Sequence, residues 1–296
     1  SSASTDLDGL SYTQPGAPIF RGVADVVDGL FSVRFRVPKD ITYRAVLGRA
    51  SAYVLPEDDL TGDVRVSPAF GSQDSIVLQG TASGVEADEI GPRIEIGFQG
   101  QTGFRDGDFV SSQPVLAAVL ADDSGINIAG ETGHEIVLEV DDVASIVTDN
   151  YTSQDGDYRQ GLLEVPLPAL EPGDHTIRLK AWDSFNNSTR VEAAVRVAEA
   201  ADAALTDLLF HPNPSPDGSG HFTYILSAPA ESARLRVYAL SGRLVEDVDA
   251  GAGFGYNQVP FEPQSLAGGT YLYRLEVNLT DGPRIEADGR LQVVPQ

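Results

Sequence analysis

Tandem antiparallel β-sandwiches are the fold that this sequence predicts, and three observations carry that expectation. Apolar and polar residues alternate with period two along many short runs, Gly, Asp and Pro sit between the runs, and no stretch keeps a helical period. The first run, Phe31 to Val37, puts Phe31, Val33, Phe35 and Val37 on one face, and Pro38 stops it because proline has no N–H to pair. Asp28-Gly29 before Leu30 reads as the turn of a hairpin whose second arm is Leu30 to Val37. Ile94 and Ile96, then Ile136, Leu138 and Val140, then Ile177, Leu179 and Ala181 continue the pattern. Leu235, Val237 and Ala239 alternate with Arg234, Arg236 and Tyr238. Tyr271, Tyr273, Leu275 and Val277 alternate with Leu272, Arg274, Glu276 and Asn278. Turns are expected at Glu171-Pro172-Gly173-Asp174, Ser241-Gly242 and Asp281-Gly282, where Gly and Asp tolerate positive φ and Pro pre-sets its own. The best helical candidate, Glu199 to Leu209, is Ala-rich but short.

A small, polar stretch from Ala198 to Ala204 precedes the Pro-rich His211-Pro212-Asn213-Pro214-Ser215-Pro216 and marks one domain boundary. A weaker boundary lies near residues 82–91, where Gly84, Asp88, Glu89 and Gly91 cluster. The expected organisation is a loose segment over 1–14, a β unit over 15–85, a sandwich over 90–198 and a second sandwich over 205–296. The unit over 15–85 is small for independent stability and is able to share the core of the next.

The 296 residues carry 44 acidic and 20 basic side chains, a net charge of −24. That charge repels phosphate backbones, so nucleic acid is excluded as a partner class. No apolar run is long enough for a membrane-spanning helix. Lys39 and Lys180 are the only lysines; the remaining cations are arginines. An acidic, Arg-biased surface suits high salt, where self-repulsion is screened within about 3 Å at ~1 M. The chain has no Cys and no Met. No thiol nucleophile, disulfide or thiolate metal site is therefore available, and the chain is expected to be a processed piece whose export signal has gone.

Catalytic chemistry finds no constellation. His134, His175, His211 and His221 show no metal-binding spacing, and Gly218-Ser219-Gly220 lacks the strand–helix context of a nucleophile elbow. No cofactor is expected. Asp122-Asp123, Asp141-Asp142, Asp106 with Asp108 and Asp155 with Asp157 offer the hard oxygens a structural calcium ion would use, but none fits the twelve-residue calcium loop. The single tryptophan, Trp182, has the opposite parity to Ile177 and Leu179 and is expected to cover a sheet end. Asn150, Asn187 and Asn278 fall in glycosylation-type tripeptides short enough to arise by chance.

Two stretches carry a resemblance. Pro212-Asn213-Pro214, Phe222 to Leu226, Leu235 to Val245 and Leu266 to Arg274 resemble the C-terminal sorting-type domain of type IX secretion cargo, which has an immunoglobulin-like fold. Pro18 to Gly22, Phe31 to Ile41, Asp123 to Asn127, Gly133 to Ile136, and Gly173 to Asp183 with Asn186 to Ser188 are similar to the region that follows the peptidase domain in PorU-like sortases of that system, which are gingipain-type cysteine peptidases. The resemblance implies a non-catalytic C-terminal region, exposed at the cell surface, that braces an upstream peptidase domain of the same chain and docks on an outer-membrane barrel shuttle. The family's Cys–His dyad lies upstream, so no catalytic residue carries over. The residues put forward for docking are Asn213, Pro214, Gly242, Gly269 and Tyr271. The acidic surface and the segment Asp281 to Gln296 depart from the family pattern, and the segment has the alternation to add a final strand. The other reading is the end of a secreted adhesin or stalk with its own sorting domain; a stalk calls for internal repeats, and none is visible.

Overall fold

The computed structural model describes residues 3–5, 11–13, 17–39, 41, 47–55, 68–80, 82–84, 87–101, 103–130, 133–198, 205–228, 230–263, 266–280 and 282–294. Among them the structure is all-β, with one 3-10 turn at Thr148–Asn150 and no helix long and apolar enough to cross a membrane. Most of the segment expected to be loose, residues 1–14, lies outside the described residues; strands β1 (Ala3–Thr5) and β2 (Ser11–Thr13) within it pair antiparallel.

None of the described residues between 17 and 84 belongs to either buried core cluster. Strands β3 (Gly48–Val54) and β4 (Ala69–Ile76) form a two-stranded antiparallel hairpin whose Tyr53 and Phe70 are exposed. Residues 17–39 instead run extended along the first sandwich, bridging Gly22 to Ser153 and Arg34 to Asp157, with the Lys39 amide donating to the Ser184 carbonyl. The Asp28-Gly29 turn forms as expected, both residues at positive φ, and Val27 and Leu30 exchange hydrogen bonds across it. The strand expected over Phe31 to Val37 does not form. Beyond Leu30 the run keeps only the isolated Arg34–Asp157 bridge, and Phe31, Val33 and Phe35 are exposed. Alternation predicts an extended backbone but does not supply the neighbour that a ladder needs.

The first sandwich comprises β5 (Arg93–Glu95), β6 (Val115–Ala121), β7 (Val137–Val140), β8 (Val143–Ile146), β9 (Tyr151–Ser153), β10 (Gln160–Pro166), β11 (Gly173–Trp182) and β12 (Ser188–Val197). One sheet has the order β5-β6-β10-β9 and the other β12-β11-β7-β8, all antiparallel. Period-two alternation sends Leu116, Ala118, Leu120 and Leu163 inward from one sheet and Ile136, Leu138, Ile177, Leu179 and Ala181 from the other, nearly all without solvent contact.

The second sandwich comprises β13 (Leu205–His211), β14 (Gly220–Leu226), β15 (Ala230–Ala239), β16 (Leu244–Ala250), β17 (Gly255–Phe261), β18 (Gly269–Leu279) and β19 (Arg284–Val293). Its sheets have the orders β13-β14-β17 and β16-β15-β18-β19. Residues 205–209, part of the helical candidate, are strand: Leu205 and Thr206 pair with Leu226 and Ile225, and tertiary pairing overrides a weak local preference. Phe222 is the centre of an aromatic cluster, with ring centroids 4.7 Å from Phe210, 5.3 Å from Phe261 and 4.9 Å from Tyr273.

Gly289 lies opposite Tyr273 in the β18–β19 register, and the Tyr273 ring occupies the place of a side chain there. Gly289→Val is expected to displace that ring and cost about 1–3 kcal/mol of stability in denaturant unfolding.

Outer faces carry charge in matched rows. Asp247, Arg236, Arg274 and Asp288 are successive partners across β16, β15, β18 and β19, and Asp249, Arg234, Glu276 and Glu286 form the next row. Arg234 pairs with Asp247 at 2.6 Å, Arg236 with Glu276 at 2.5 Å and Arg274 with Asp288 at 2.7 Å. On the first sandwich Arg178 meets Glu139, Asp142 and Glu192 at 2.6, 2.7 and 2.5 Å. Contact pairs of this kind survive salt better than the long-range repulsion of −24 charges does. The melting temperature is therefore expected to rise between about 0.1 M and about 2 M NaCl. A flat or falling profile in scanning calorimetry would contradict adaptation to high salt.

Candidate functional site

Three places bring chemistry-bearing side chains together. The first is one end of the first sandwich, where the β6–β7 loop, the β11–β12 turn and the segment before β5 meet. Asp183 follows β11 and is fully buried, and its Oδ1 accepts from the Phe185 and Asn187 amides at 2.9 and 2.7 Å. Its Oδ2 accepts from Asn187 Nδ2 at 2.7 Å, and that amide also donates to the Asp88 carbonyl. Asp122 Oδ1 accepts from the Ser124 amide and hydroxyl at 2.7 and 2.6 Å. Carboxylate oxygens of Asp88, Asp122 and Asp183 all lie within 4.8 Å of one another, the span across which a hard cation such as calcium takes oxygen ligands. Burial pushes the Asp122 carboxyl above the usual range; the Ser124 hydrogen bonds oppose this, and the charges of Asp183 and Asp88 add to it.

Of the acid pairs singled out in the sequence, only Asp122 joins this cluster. Its partners come from sites 34 residues before and 61 residues after it, a grouping that adjacent acids do not reveal. Asp106 caps the Ala194 amide, Asp108 receives the Arg105 amide and Asp157 binds Arg159, so these acids serve local structure. Asn187 is consumed inside the cluster. His134 stacks edge-on to Trp182 at 4.6 Å, and Lys180 lies over the same indole, which closes the sheet end.

The second place is His175, at the start of β11. Its Nδ1 is 2.5 Å from Asp141 Oδ2 and its Nε2 is 2.6 Å from the Glu171 carbonyl oxygen. Both partners are acceptors, so both ring nitrogens must donate, and only the imidazolium does that. Burial draws the His175 pKa down, but Asp141, the Glu171 carbonyl and Asp174 together outweigh it and hold the ring above its ordinary value. The same contact holds Asp141 below the usual carboxylate range. A raised histidine contributes stability that is complete below its unfolded pKa of 6.5 and is lost as pH rises through the folded pKa. The depressed Asp141 sets the other limit: its contribution is lost as pH falls below 3.8. Stability is expected to decline from about pH 6 to about pH 8 by no more than the ~0.2–1 kcal/mol of a surface pair. His175→Gln, followed by thermal unfolding across that range, should remove the decline.

The third place is one end of the second sandwich, where the structure brings the docking candidates into line. Gly242 occupies the β15–β16 turn at positive φ, and its amide donates to Ala239, the register partner of Tyr271. Tyr271 and Gly269 pair with Leu291 and Val293 of β19. Asn213 lies against β19, with its Nδ2 donating to the Arg290 carbonyl at 2.8 Å and its Oδ1 accepting from the Gln292 amide at 3.0 Å; Pro214 beside it is exposed. Tyr271 itself is buried and its hydroxyl donates to the Ala267 carbonyl.

What reaches solvent at this end is a row outside the predicted docking residues. Leu244, Tyr238, Leu272 and Arg290 are successive partners across the four strands, with Leu240 and Arg243 beside them in the turn. Leu240, Leu244 and Leu272 are exposed. Arg234, Arg236, Arg274 and Arg284 form ion pairs, and among the described residues Arg243 and Arg290 form none. The signal was present: Tyr238 and Leu272 are the apolar members of otherwise polar, outward-facing alternations.

No protein-family model matches the chain, and no curated protein does. Among solved structures it is similar to dimeric latent PorU from Porphyromonas gingivalis, at 30% identity over 94% of this chain and 26% of that one, with a TM-score of 0.39. The chain thus spans about a quarter of the length of that protein. Parabacteroides merdae β-glucuronidase matches at 13% identity over 69% of this chain and 24% of that one, with a TM-score of 0.33. The N-terminal two-immunoglobulin module of a Drosophila receptor protein tyrosine phosphatase matches at 12% identity over 69% and 98%, with a TM-score of 0.24. The similarity in sequence is to a PorU-like region, and no catalytic constellation accompanies it among the described residues.

Proposed function

We propose that this chain is the non-catalytic C-terminal region of a surface-exposed type IX secretion sortase-like protein. In this reading the first sandwich, with residues 17–39 laid along it, braces an upstream gingipain-type peptidase domain. The second sandwich is the sorting-type domain and docks to an outer-membrane barrel partner. Support for the placement comes from the 30% identity to PorU and from the motifs from Pro212 to Arg274. The observation that carries docking is the outer-face row Leu244–Tyr238–Leu272, its leucines exposed and Tyr238 half-buried, flanked by Arg243 and Arg290. Tyr and Arg are the side chains enriched where interfaces concentrate their energy. Two arginines contribute only about 2 kcal/mol at an anionic lipid surface, against the repulsion of a chain carrying −24. A protein partner with acidic groups around an apolar recess fits the patch better.

The test uses the full protein in its native outer membrane. Leu272→Asp combined with Arg290→Glu is expected to release it from the outer-membrane fraction while leaving thermal unfolding within about 2–4 °C of wild type. Deleting 205–296 should release it completely. Retention of both variants on the membrane would remove docking from this domain.

A further inference from the structure

We propose that the loop between β16 and β17 is a clamp that locks the two sandwiches together. Residues 93–293 then move as one rigid arm and not as two units joined only by the chain between β12 and β13. This goes beyond the functional reading above and does not depend on it.

The loop reads Gly251-Ala252-Gly253-Phe254-Gly255-Tyr256-Asn257, with glycine at every second position up to Gly255. Asn257, 2% exposed, sets its shape from inside. Its Nδ2 donates to the Gly253 and Gly255 carbonyls at 2.8 and 3.0 Å, and its Oδ1 accepts from the Gly253 amide at 3.2 Å. The Tyr224 hydroxyl of β14 donates to the Gly251 carbonyl, fixing the loop to the second core.

The facing surface belongs to the first sandwich and is equally fixed. Residues 98–101 and 103–110 are tied together through Gln101 N to Phe98 O, Gln101 Nε2 to Phe109 O and Asp108 N to Arg105 O. They are tied to β12 by Gly107 N to Ala194 O, Val110 N to Arg196 O and Arg196 N to Asp108 O.

Between these two built surfaces the backbones come too close for side chains. A Cβ on Gly253 would lie 2.9 Å from the Gly100 carbonyl oxygen. One on Gly255, which has φ +70°, would lie 3.1 Å from Gln101 Nε2 and 3.2 Å from Asp108 Cβ. The Arg105 guanidinium stacks over the Tyr256 ring, its Cζ 3.4 Å from the centroid. Glycine at 253 is therefore required by the other domain, and at 255 the positive φ of the turn requires glycine while a side chain there would also press on Gln101 and Asp108. Interfaces between domains of one chain are by default loose. A contact made of mutually fitted backbone and one stacked cation is a departure from that default.

The chain has no cysteine, so two introduced ones report without background. Val143→Cys on β8 and Glu231→Cys on β15, both at exposed positions, take spin labels for distance measurement by pulsed electron resonance. The intact clamp is expected to give one narrow distance distribution. Arg105→Ala with Tyr256→Ala, which adds no bulk, should broaden it about twofold or more. Gly255→Val should do the same, and circular dichroism keeps misfolding separate from release. A broad distribution in the parent chain, or an unchanged one in the Arg105/Tyr256 variant, would overturn the clamp.

Discussion

Facing sheets that bury alternate residues against each other are the constraint from which the rest of this molecule follows. With no disulfide to staple either domain, Leu116, Leu120 and Leu163 must meet Ile136, Leu138, Ile177 and Leu179, and Phe222 must meet Tyr273 and Leu235, without water between them. At roughly 25 cal/mol per Å² of apolar area, this burial is the dominant stabilising term. It also dictates where anything else can happen. Strand interiors are committed to packing, so distinctive chemistry is displaced to outer faces and to the loops at sheet ends.

The outer faces show how a chain of −24 stays folded. Many of its arginines sit among carboxylates, as Arg178 and Arg274 do. Exposed pairs contribute little individually, about 0–1 kcal/mol. Their collective effect is to break up blocks of like charge across a sheet. Against that background Arg243 and Arg290 stand apart: among the described residues neither forms an ion pair, and Arg290 lies opposite Leu272. The acidic cluster of Asp88, Asp122 and Asp183 is the opposite case: three carboxylates drawn together by loop packing, with amides and hydroxyls as donors and Asp122 driven toward its protonated form.

Both sheet ends matter for the proposed role. One end of the first sandwich gathers residues 36–39 and 88–90 with two of its own loops; Arg36 lies over Tyr158 and Phe185, and Lys39 bonds to Ser184. An extended segment held in this way has a defined path, as a brace requires. A rigid junction between the sandwiches would carry that definition through to the docking end, since a lever transmits position only if its joints are stiff.

The sequence by itself determined the inward faces of the strands. Period two is a property of the extended backbone, so Ile177, Leu179 and Ala181 or Tyr271, Tyr273 and Leu275 could be assigned to a core before any partner was known. Turn positions such as Asp28-Gly29 and Gly242 were legible for the same local reason. The docking candidates Asn213, Gly242, Gly269 and Tyr271 were legible as a motif, but not as one sheet end. Tertiary structure alone decided which strands found neighbours: Phe31 to Val37 alternates as well as any core strand yet makes only one isolated bridge, whereas Leu205 to Leu209 looks helical and pairs with β14 around a bulge at residues 207–208. It also decided the long-range groupings, Asp88 with Asp122 and Asp183, and Arg105 with Tyr256. Hydrogen-bonded register and loop packing join residues tens to hundreds of positions apart, and no local period records that distance.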